Sequence, residues 1–360
     1  MPVVYVAMSG GVDSSVAAAL LKKRGFDVAG VFMKPWSSYA KASEGQADSF
    51  CLWKEDREDA MKAASVIGIP LLTWDFSKQY KKSVTDYMIR EYKAGRTPNP
   101  DVMCNKEIKF GLFYKKAMKE GADFIATGHY VRAKSGKLFV AKDKNKDQSY
   151  FLWILKKNIV EKCLFPIGEY AKPEVRKLAK KFGLPNFAKK DSQGICFIGP
   201  LDMKDFLQTK IKPKPGKILL HGHHANLHGA HVGEHDGVFY YTIGQRHGLN
   251  IGTGGGPFYV VSKDLKKNII YVGGKNDLFS RKTKLISINW INPPVDNRLA
   301  KSVIHRELDV RLRYRAELKK AVLKKNGELK LKTPERAITE GQSAVFYRGS
   351  EMLGGGIISR

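Results

Sequence analysis

PVVYVAMSGGVDSSVAAALLKKRG, residues 2–25, decides the fold of this chain. PVVYVAM (2–8) is a short β-branched apolar run, which reads as a strand buried on both faces. Ser14 to Arg24 has the Ala, Leu and Lys composition of a helix, and Gly25 stops it. Between them lies SGGVDSS (9–15), a Gly/Ser turn that resembles a phosphate-binding loop without its lysine. A Walker A loop needs GxxxxGK[ST], and no lysine stands here. Gly10 and Gly11 allow a tight turn that points successive N–H groups inward, and the helix that follows aims its positive end at the same place. Ser9, Ser14 and Ser15 offer hydroxyls, and Asp13 is a candidate Mg²⁺ ligand.

Outward from this unit the pattern repeats. FDVAGVFM (26–33) reads as a second strand, 54–68 as a helix with an acidic first turn, IPLLTWDF (69–76) as a third strand, and ADFIATGHY (122–130) as a fourth. Helices are expected over about 77–93 and 110–120. Strands alternating with helices at these lengths imply an α/β fold. It is a doubly wound parallel sheet with its ligand at the carboxyl ends of the strands. After about residue 200, KPKPGKILL punctuates the chain and short strands between Gly, Pro and Asn take over. We expect a nucleotide-binding domain over 1–205, a small connecting domain over 206–275 and a β-barrel-like domain over 276–360. In LDVRLRYRA (308–316), alternation predicts Leu308, Val310, Leu312, Tyr314 and Ala316 on one face and Arg311, Arg313 and Arg315 in a row on the other.

The formal net charge of +28 over 360 residues points to a polyanionic partner, with nucleic acid the first candidate and solvated lysine faces the plain alternative. No window approaches about 18 uninterrupted apolar residues and no signal peptide is legible, so a cytoplasmic protein that does not engage membranes is expected. Cys51, Cys104, Cys163 and Cys196 form neither a disulfide framework nor a CxxC pair. TPNPDVMCNKEIKFG (97–111) places Asp101 three residues before Cys104, in a turn expected just ahead of a helix whose N-terminus would favour the thiolate. KKDSQGICFIG (189–199) carries Cys196 with Lys189 and Lys190 nearby. Cys51 and Cys163 read as structural. HGHHANLHGAHVGEHDG (221–237) matches no metal-ligand spacing and reads as a hairpin with incidental histidines.

SGGVDSS resembles the PP-loop of ATP pyrophosphatases, which split ATP between its α and β phosphates and adenylate an oxygen. NPDVMCNKEIKFG, TGHY, KDQSYFLW, DSQGICFIG, GEHDGVFYYTIGQRHGL, RYR and GQSAVFY with LGGGII then follow in order over most of the chain. Together they resemble the bacterial tRNA-specific 2-thiouridylases. That resemblance implies ATP-dependent replacement of the C2 oxygen of the wobble uridine by sulfur, in tRNAs of the Lys, Glu and Gln type. By position it implies ATP contacts from Ala7, Met8, Ser9, Gly10, Gly11, Val12, Asp13, Ser14, Met33 and Gly128. It places the target base against Asn99, Pro100 and Asp101, with Asp101 as a proton carrier. Cys196 would hold the incoming sulfur as a persulfide and Cys104 would be the second, nucleophilic thiol. Lys146, Asp147, Gln148, Arg313, Tyr314, His129 and Gln342 would contact tRNA. ATP, Mg²⁺, tRNA and a sulfur-donor protein are the implied cofactors and partners, and a monomer suffices. The rivals are a PP-loop ligase for a small molecule, another PP-loop tRNA enzyme, or an RNA-binding protein without turnover.

Overall fold

The computed structural model describes residues 1–34, 36, 52–190, 203–221, 229–252, 256–293 and 306–359. Cys51, Cys196 and most of the histidine-rich loop lie outside the described residues. The N-terminal sheet runs β3-β2-β1-β4-β7 and is parallel throughout. Its strands are β1 (Val3–Ala7), β2 (Asp27–Lys34), β3 (Leu71–Asp75), β4 (Phe124–Thr127) and, after the short hairpin β5 (Arg132–Lys134) and β6 (Lys137–Phe139), β7 (Cys163–Leu164).

Period-2 geometry explains why β1 is apolar along its length. Val4 and Val6 face a core built from α1 (Val12–Lys23), α2 (Leu52–Ile67) and the helix Lys172–Lys181, while Tyr5 and Ala7 face a second core around Trp74, Phe110, Phe113 and Trp153. Val4 and Val6 are fully buried, each contributing roughly 2 kcal/mol of burial. α1 buries Val16, Ala17, Ala18, Leu20 and Leu21. Gly25, at φ +83°, closes the helix with its N–H on the Lys22 carbonyl. The winding order reverses between β1 and β4, so the loop after β1 sits at the switch point where open α/β sheets bind ligands.

The middle of the chain forms a four-stranded sheet, β10-β11-β8-β9, from β8 (Gly216–Leu220), β9 (His231–His235), β10 (Tyr259–Asp264) and β11 (Ile269–Gly273). β8 and β9 pair antiparallel, as a hairpin requires, and no group of metal ligands occurs among the described residues. The C-terminal strands are β12 (Phe279–Trp290), β13 (Arg306–Arg311), β14 (Lys319–Leu323), β15 (Glu328–Arg336), β16 (Ser343–Arg348) and β17 (Glu351–Ser359). β12 pairs with both β15 and β17, closing six strands into a barrel around Leu308, Val310, Leu329, Phe346 and Ile358. β6 of the N-terminal domain adds to β17, joining barrel and N-terminal domain through one hydrogen-bonded sheet.

Two expectations need correction. The strand expected over 308–316 stops at Arg311. A turn follows with Arg315 at φ +62°, so the arginines do not line one face. Arg311 turns inward to Asp147 at 3.1 Å, Arg313 donates to the carbonyls of Arg336 and Ala337, and Arg315 lies over the Tyr314 ring. The turn expected around Cys104 is helical. Pro100–Met103 is α-helix, Cys104–Phe113 is π-helix and Tyr114–Lys119 is α-helix again. The wider π turn brings the Lys106 carbonyl across the helix, where a Cβ on Gly111 would lie 2.6 Å from it. Among the described residues, no helix is long and apolar enough to cross a membrane.

Candidate nucleotide and thiol site

The sheet brings the expected nucleotide contacts to one edge. Ala7 ends β1, Met33 lies near the end of β2, and Gly128 follows β4, on three adjacent strands. α1 begins at Val12 with Gly11 as its N-cap, so its first N–H groups have no intrahelical acceptor and face the same edge. Gly10 is at φ +76°, and a Cβ there would sit 2.1 Å from the Asp56 carbonyl. Gly128 lies against the loop backbone, where a Cβ would be 2.7 Å from Ser14 N and 2.8 Å from Asp13 C. Gly128→Ala must therefore displace the loop. On the expectation that this loop holds ATP, its affinity should fall at least about tenfold in a calorimetric titration.

The loop's hydroxyls are turned inward. Ser14 Oγ accepts from Ser9 N at 3.2 Å and donates to the Gly11 carbonyl at 3.1 Å. Ser15 Oγ donates to the same carbonyl at 3.1 Å, while Asn186 Nδ2 donates to the Gly10 carbonyl at 2.9 Å and to Ser15 Oγ at 3.0 Å. Ser14 and Ser15 therefore shape the turn, which leaves the backbone N–H groups at the start of α1 as the donors for the phosphate expected there.

Asp13 does not stand ready for a metal. Lys172 Nζ donates to both its oxygens, at 2.8 and 2.9 Å, and the Tyr130 hydroxyl donates to Oδ1 at 2.8 Å. With its charge already balanced by an ammonium, this carboxylate does not fit a divalent cation held directly. Lys172 is only 9% exposed and opens the helix Lys172–Lys181, with its backbone N–H held by Asp143. The cation missing from the loop thus comes from 159 residues further on. Sequence reading missed Lys172, Tyr130 and Asn186. The only local signals were Tyr130 in TGHY and a lysine before the helix-opening Pro173.

Cys104 is fully buried in the core that also holds Ala7 and Met33. It is the fifth residue of the helical run from Pro100, just past the first turn, where the dipole's effect fades. Asn99, the N-cap residue, makes no capping bond. Its amide instead donates to Ser343 Oγ at 3.0 Å and Tyr150 OH at 3.3 Å, so a good capping residue is spent on tertiary contact. Pro100 and Asp101 follow in the first turn. Asn105 Nδ2 donates to the Phe151 carbonyl at 3.2 Å, and Tyr314 packs on Phe151 and Tyr150 with centroids 4.6 and 6.0 Å apart. The structure thus gathers NPD, Cys104, KDQSYF and Tyr314 into one cluster.

Within it, the residues matched to tRNA contacts differ in availability. Arg313 is exposed and Lys146 half-buried, whereas Asp147 is 2% exposed. Asp147 accepts from Ala141 N, Ser149 N, Ser149 Oγ and Arg311, so it braces the turn from inside. Gln148 Oε1 accepts from Tyr130 N at 2.9 Å, and Gln342 Nε2 donates to the Thr97 carbonyl at 2.9 Å. Lys189, expected beside Cys196, is bound to Asp56 at 2.7 Å and Asp59 at 2.6 Å, at the threshold of the segment that carries that thiol. Cys163 donates to the Ile159 carbonyl, and burial pushes its thiol well up, consistent with an inert structural residue.

His129 lies between Phe110 and Phe165 with Nδ1 2.7 Å from Thr127 Oγ1. Burial first, and Lys109 second, hold its pKa well below 6.5, so the folded protein keeps it neutral. The unfolded chain takes up a proton below about 6.5 that the folded one refuses, so stability is lost as pH falls through that value. The slope for this one proton approaches ~1.4 kcal/mol per pH unit. His129→Asn should flatten the loss between about pH 6.5 and 5, read by urea unfolding across pH.

Comparison with known proteins completes the description. A family model described as tRNA methyl transferase HUP domain matches residues 2–200, one described as tRNA methyl transferase PRC-barrel domain matches 204–274, and one described as aminomethyltransferase beta-barrel domain matches 280–358. The chain is 46% identical to the tRNA-specific 2-thiouridylase MnmA of Bacillus licheniformis over 369 residues, spanning 99% of this chain and 94% of that protein. It is 46% identical to MnmA 2 of Geobacillus kaustophilus and 45% identical to MnmA of Bacillus subtilis, with the same coverage.

Proposed function

This chain belongs to the family of tRNA-specific 2-thiouridylases, and from that premise we propose that it exchanges the C2 oxygen of the wobble uridine of tRNA for sulfur, using ATP. The substrates are tRNAs of the Lys, Glu and Gln type. One observation carries the reading: Ala7, which ends β1 just before the lysine-free loop, and Met33, near the end of β2, share one core with Cys104 at the carboxyl edge of a parallel sheet.

In this reading the anticodon loop, already single-stranded, gives up its uridine cheaply. Phe151 and Tyr314 offer a stacking platform, and Asn99, Pro100 and Asp101 border the base. The uridine C2 oxygen attacks the α phosphorus of ATP and pyrophosphate leaves, its charge met by the N–H groups of α1 and by the nearby Lys172. Mg²⁺ would arrive with the nucleotide and supply charge neutralisation there, with no direct ligand from Asp13. The outer sulfur of a Cys196 persulfide then bonds to C2 as AMP departs with the oxygen, after which Cys104 attacks Cys196 Sγ and breaks the sulfur–sulfur bond; or Cys104 attacks Cys196 Sγ first and frees the outer sulfur as sulfide, which displaces AMP from C2. Either route leaves a Cys104–Cys196 disulfide, which a thiol reductant reopens. A cysteine desulfurase or a sulfur-relay protein reloads Cys196. The division into 1–205, 206–275 and 276–360 assigns chemistry to the first part and RNA seating to the last. We assign the monomer to the cytoplasm.

The family-model descriptions name methyl transfer, and the relatives' names say thiolation. Methyl transfer requires neither a pyrophosphate-releasing loop nor a thiol pair, so the site favours the second. The test is mass spectrometry of nucleosides from unmodified tRNA-Glu transcript incubated with the protein, Mg²⁺-ATP, a desulfurase and cysteine. Wobble 2-thiouridine that disappears without ATP is expected. Pyrophosphate release that ignores tRNA and follows a small molecule instead would move the protein to the adenylating ligases.

A further inference from the structure

Thr97, two residues before Asn99, sends every polar group it has out of its own domain. Its N–H donates to the Glu340 carbonyl at 2.9 Å and its carbonyl accepts from Gln342 Nε2 at 2.9 Å, both between β15 and β16 of the barrel. Its hydroxyl shares a hydrogen bond with Thr242 Oγ1 at 3.1 Å, from the middle of the chain between β9 and β10. The fit is close, because a Cβ on Gly341, at φ +90°, would lie 2.9 Å from the Thr97 carbonyl oxygen and 3.0 Å from its N. Neighbouring bonds run the same way. Lys263 Nζ ties the carbonyls of Gly95 and Tyr241 at 2.7 and 2.6 Å, and Ser343 Oγ takes the Asn99 amide at 3.0 Å.

Gln342 is itself fixed. Its N–H donates to Thr339, and its carbonyl accepts from Ile358 N on β17 at 2.8 Å. The backbone of β17 also pairs with the hairpin of the N-terminal domain. The segment entering the NPD turn and the Cys104 helix is thus held from two other parts of the chain, and Thr97 is where the two holds meet.

We propose that Gln342 is a positioning residue: through Thr97 it holds the segment 97–104 in register with the barrel, so that RNA seated on the barrel presents its base to the NPD turn and Cys104. The inference rests on the thiolation reading for its purpose, but the mechanical coupling stands apart from it. A neutral hydrogen bond is worth little to overall stability. A displacement of about 1 Å in a reacting geometry, however, costs as much as a hundredfold in rate. Gln342 and Thr242 should therefore affect the chemical step far more than folding or RNA affinity.

Two variants test this, Gln342→Leu and Thr242→Val, each removing polar atoms from one side of Thr97 with little change of volume. In the protein alone, amide exchange of the peptide spanning 97–104 should speed up about fivefold in each, with peptides of β1 unchanged. With tRNA, single-turnover pyrophosphate release at saturating tRNA should fall about tenfold or more, tRNA Kd and its salt slope should hold, and the double variant should be non-additive. Unchanged exchange in both variants overturns the proposal, whatever the enzyme proves to catalyse. So does a weakened Kd with a normal saturated rate in Gln342→Leu alone, which would make Gln342 an RNA contact. A wild-type protein that releases no tRNA-dependent pyrophosphate would refute the thiolation reading, while the exchange result would still decide the coupling.

Discussion

Asp13→Ala should cut tRNA-dependent pyrophosphate release by at least about a hundredfold. The residue lies in the first turn of α1 beside the loop and carries a carboxylate that pairs with Lys172. Its loss takes a two-oxygen partner from an ammonium whose side chain is only 11% exposed. Breaking a fully buried pair from one side costs about 3–5 kcal/mol, and here the partial exposure of Asp13 brings the expected stability loss nearer to 2 kcal/mol. Lys172→Met should lower release by a similar factor and destabilise less, because Asp13 still has the Tyr130 hydroxyl and some access to water.

The double variant separates folding from function. If Asp13 and Lys172 only hold helix Lys172–Lys181 against α1, removing both should restore stability and pyrophosphate release together. If the pair sets the charge at the phosphate loop, stability should recover and release should not. Thermal unfolding and a coupled pyrophosphate assay on the same four proteins decide between these outcomes.

Cys196→Ser should abolish desulfurase-driven thiolation while tRNA-dependent pyrophosphate release persists, because a hydroxyl cannot carry a persulfide and adenylation does not use one. Cys104→Ser should give the same split for a different reason. It removes the thiol that must break the sulfur–sulfur bond, and it places a hydroxyl at a fully buried site at a stability cost of about 1 kcal/mol. Nucleoside mass spectrometry alongside pyrophosphate release reads both variants. Full 2-thiouridine yield from Cys104→Ser would remove the nucleophile role from that residue, and loss of pyrophosphate release in a folded Cys196→Ser would break the division between adenylation and sulfur transfer.

Much of this site is legible in one dimension because its parts are local. The strand before SGGVDSS follows from an unbroken β-branched apolar run, and the turn after it from two glycines, one of which needs φ +76°. The expectation for 97–111 failed for an equally local reason. Pro98 and Pro100 read as a turn, yet Pro at a first helical position is well tolerated and starts the helix there. The strand over 308–316 was misread because its alternation persists past Arg311 in letters only. Arg315 at positive φ and the inward pairing of Arg311 with Asp147 end it, and neither has a signature in hydrophobic period.

By itself, then, the sequence determined the α/β class, the glycine turn after β1, the β-rich second half and the family, since each depends on residue types within short stretches of chain. Tertiary structure alone decided that Asp13 belongs to Lys172, that Asn99 caps nothing, that Asp147 braces from inside, and that Thr97 is held by Gln342 and Thr242. Hydrogen bonds and ion pairs act over about 3 Å in space and are indifferent to separation along the chain. Partners 145, 159 or 245 residues apart therefore leave no mark in local pattern, and only the packing of sheet, middle strands and barrel brings them together.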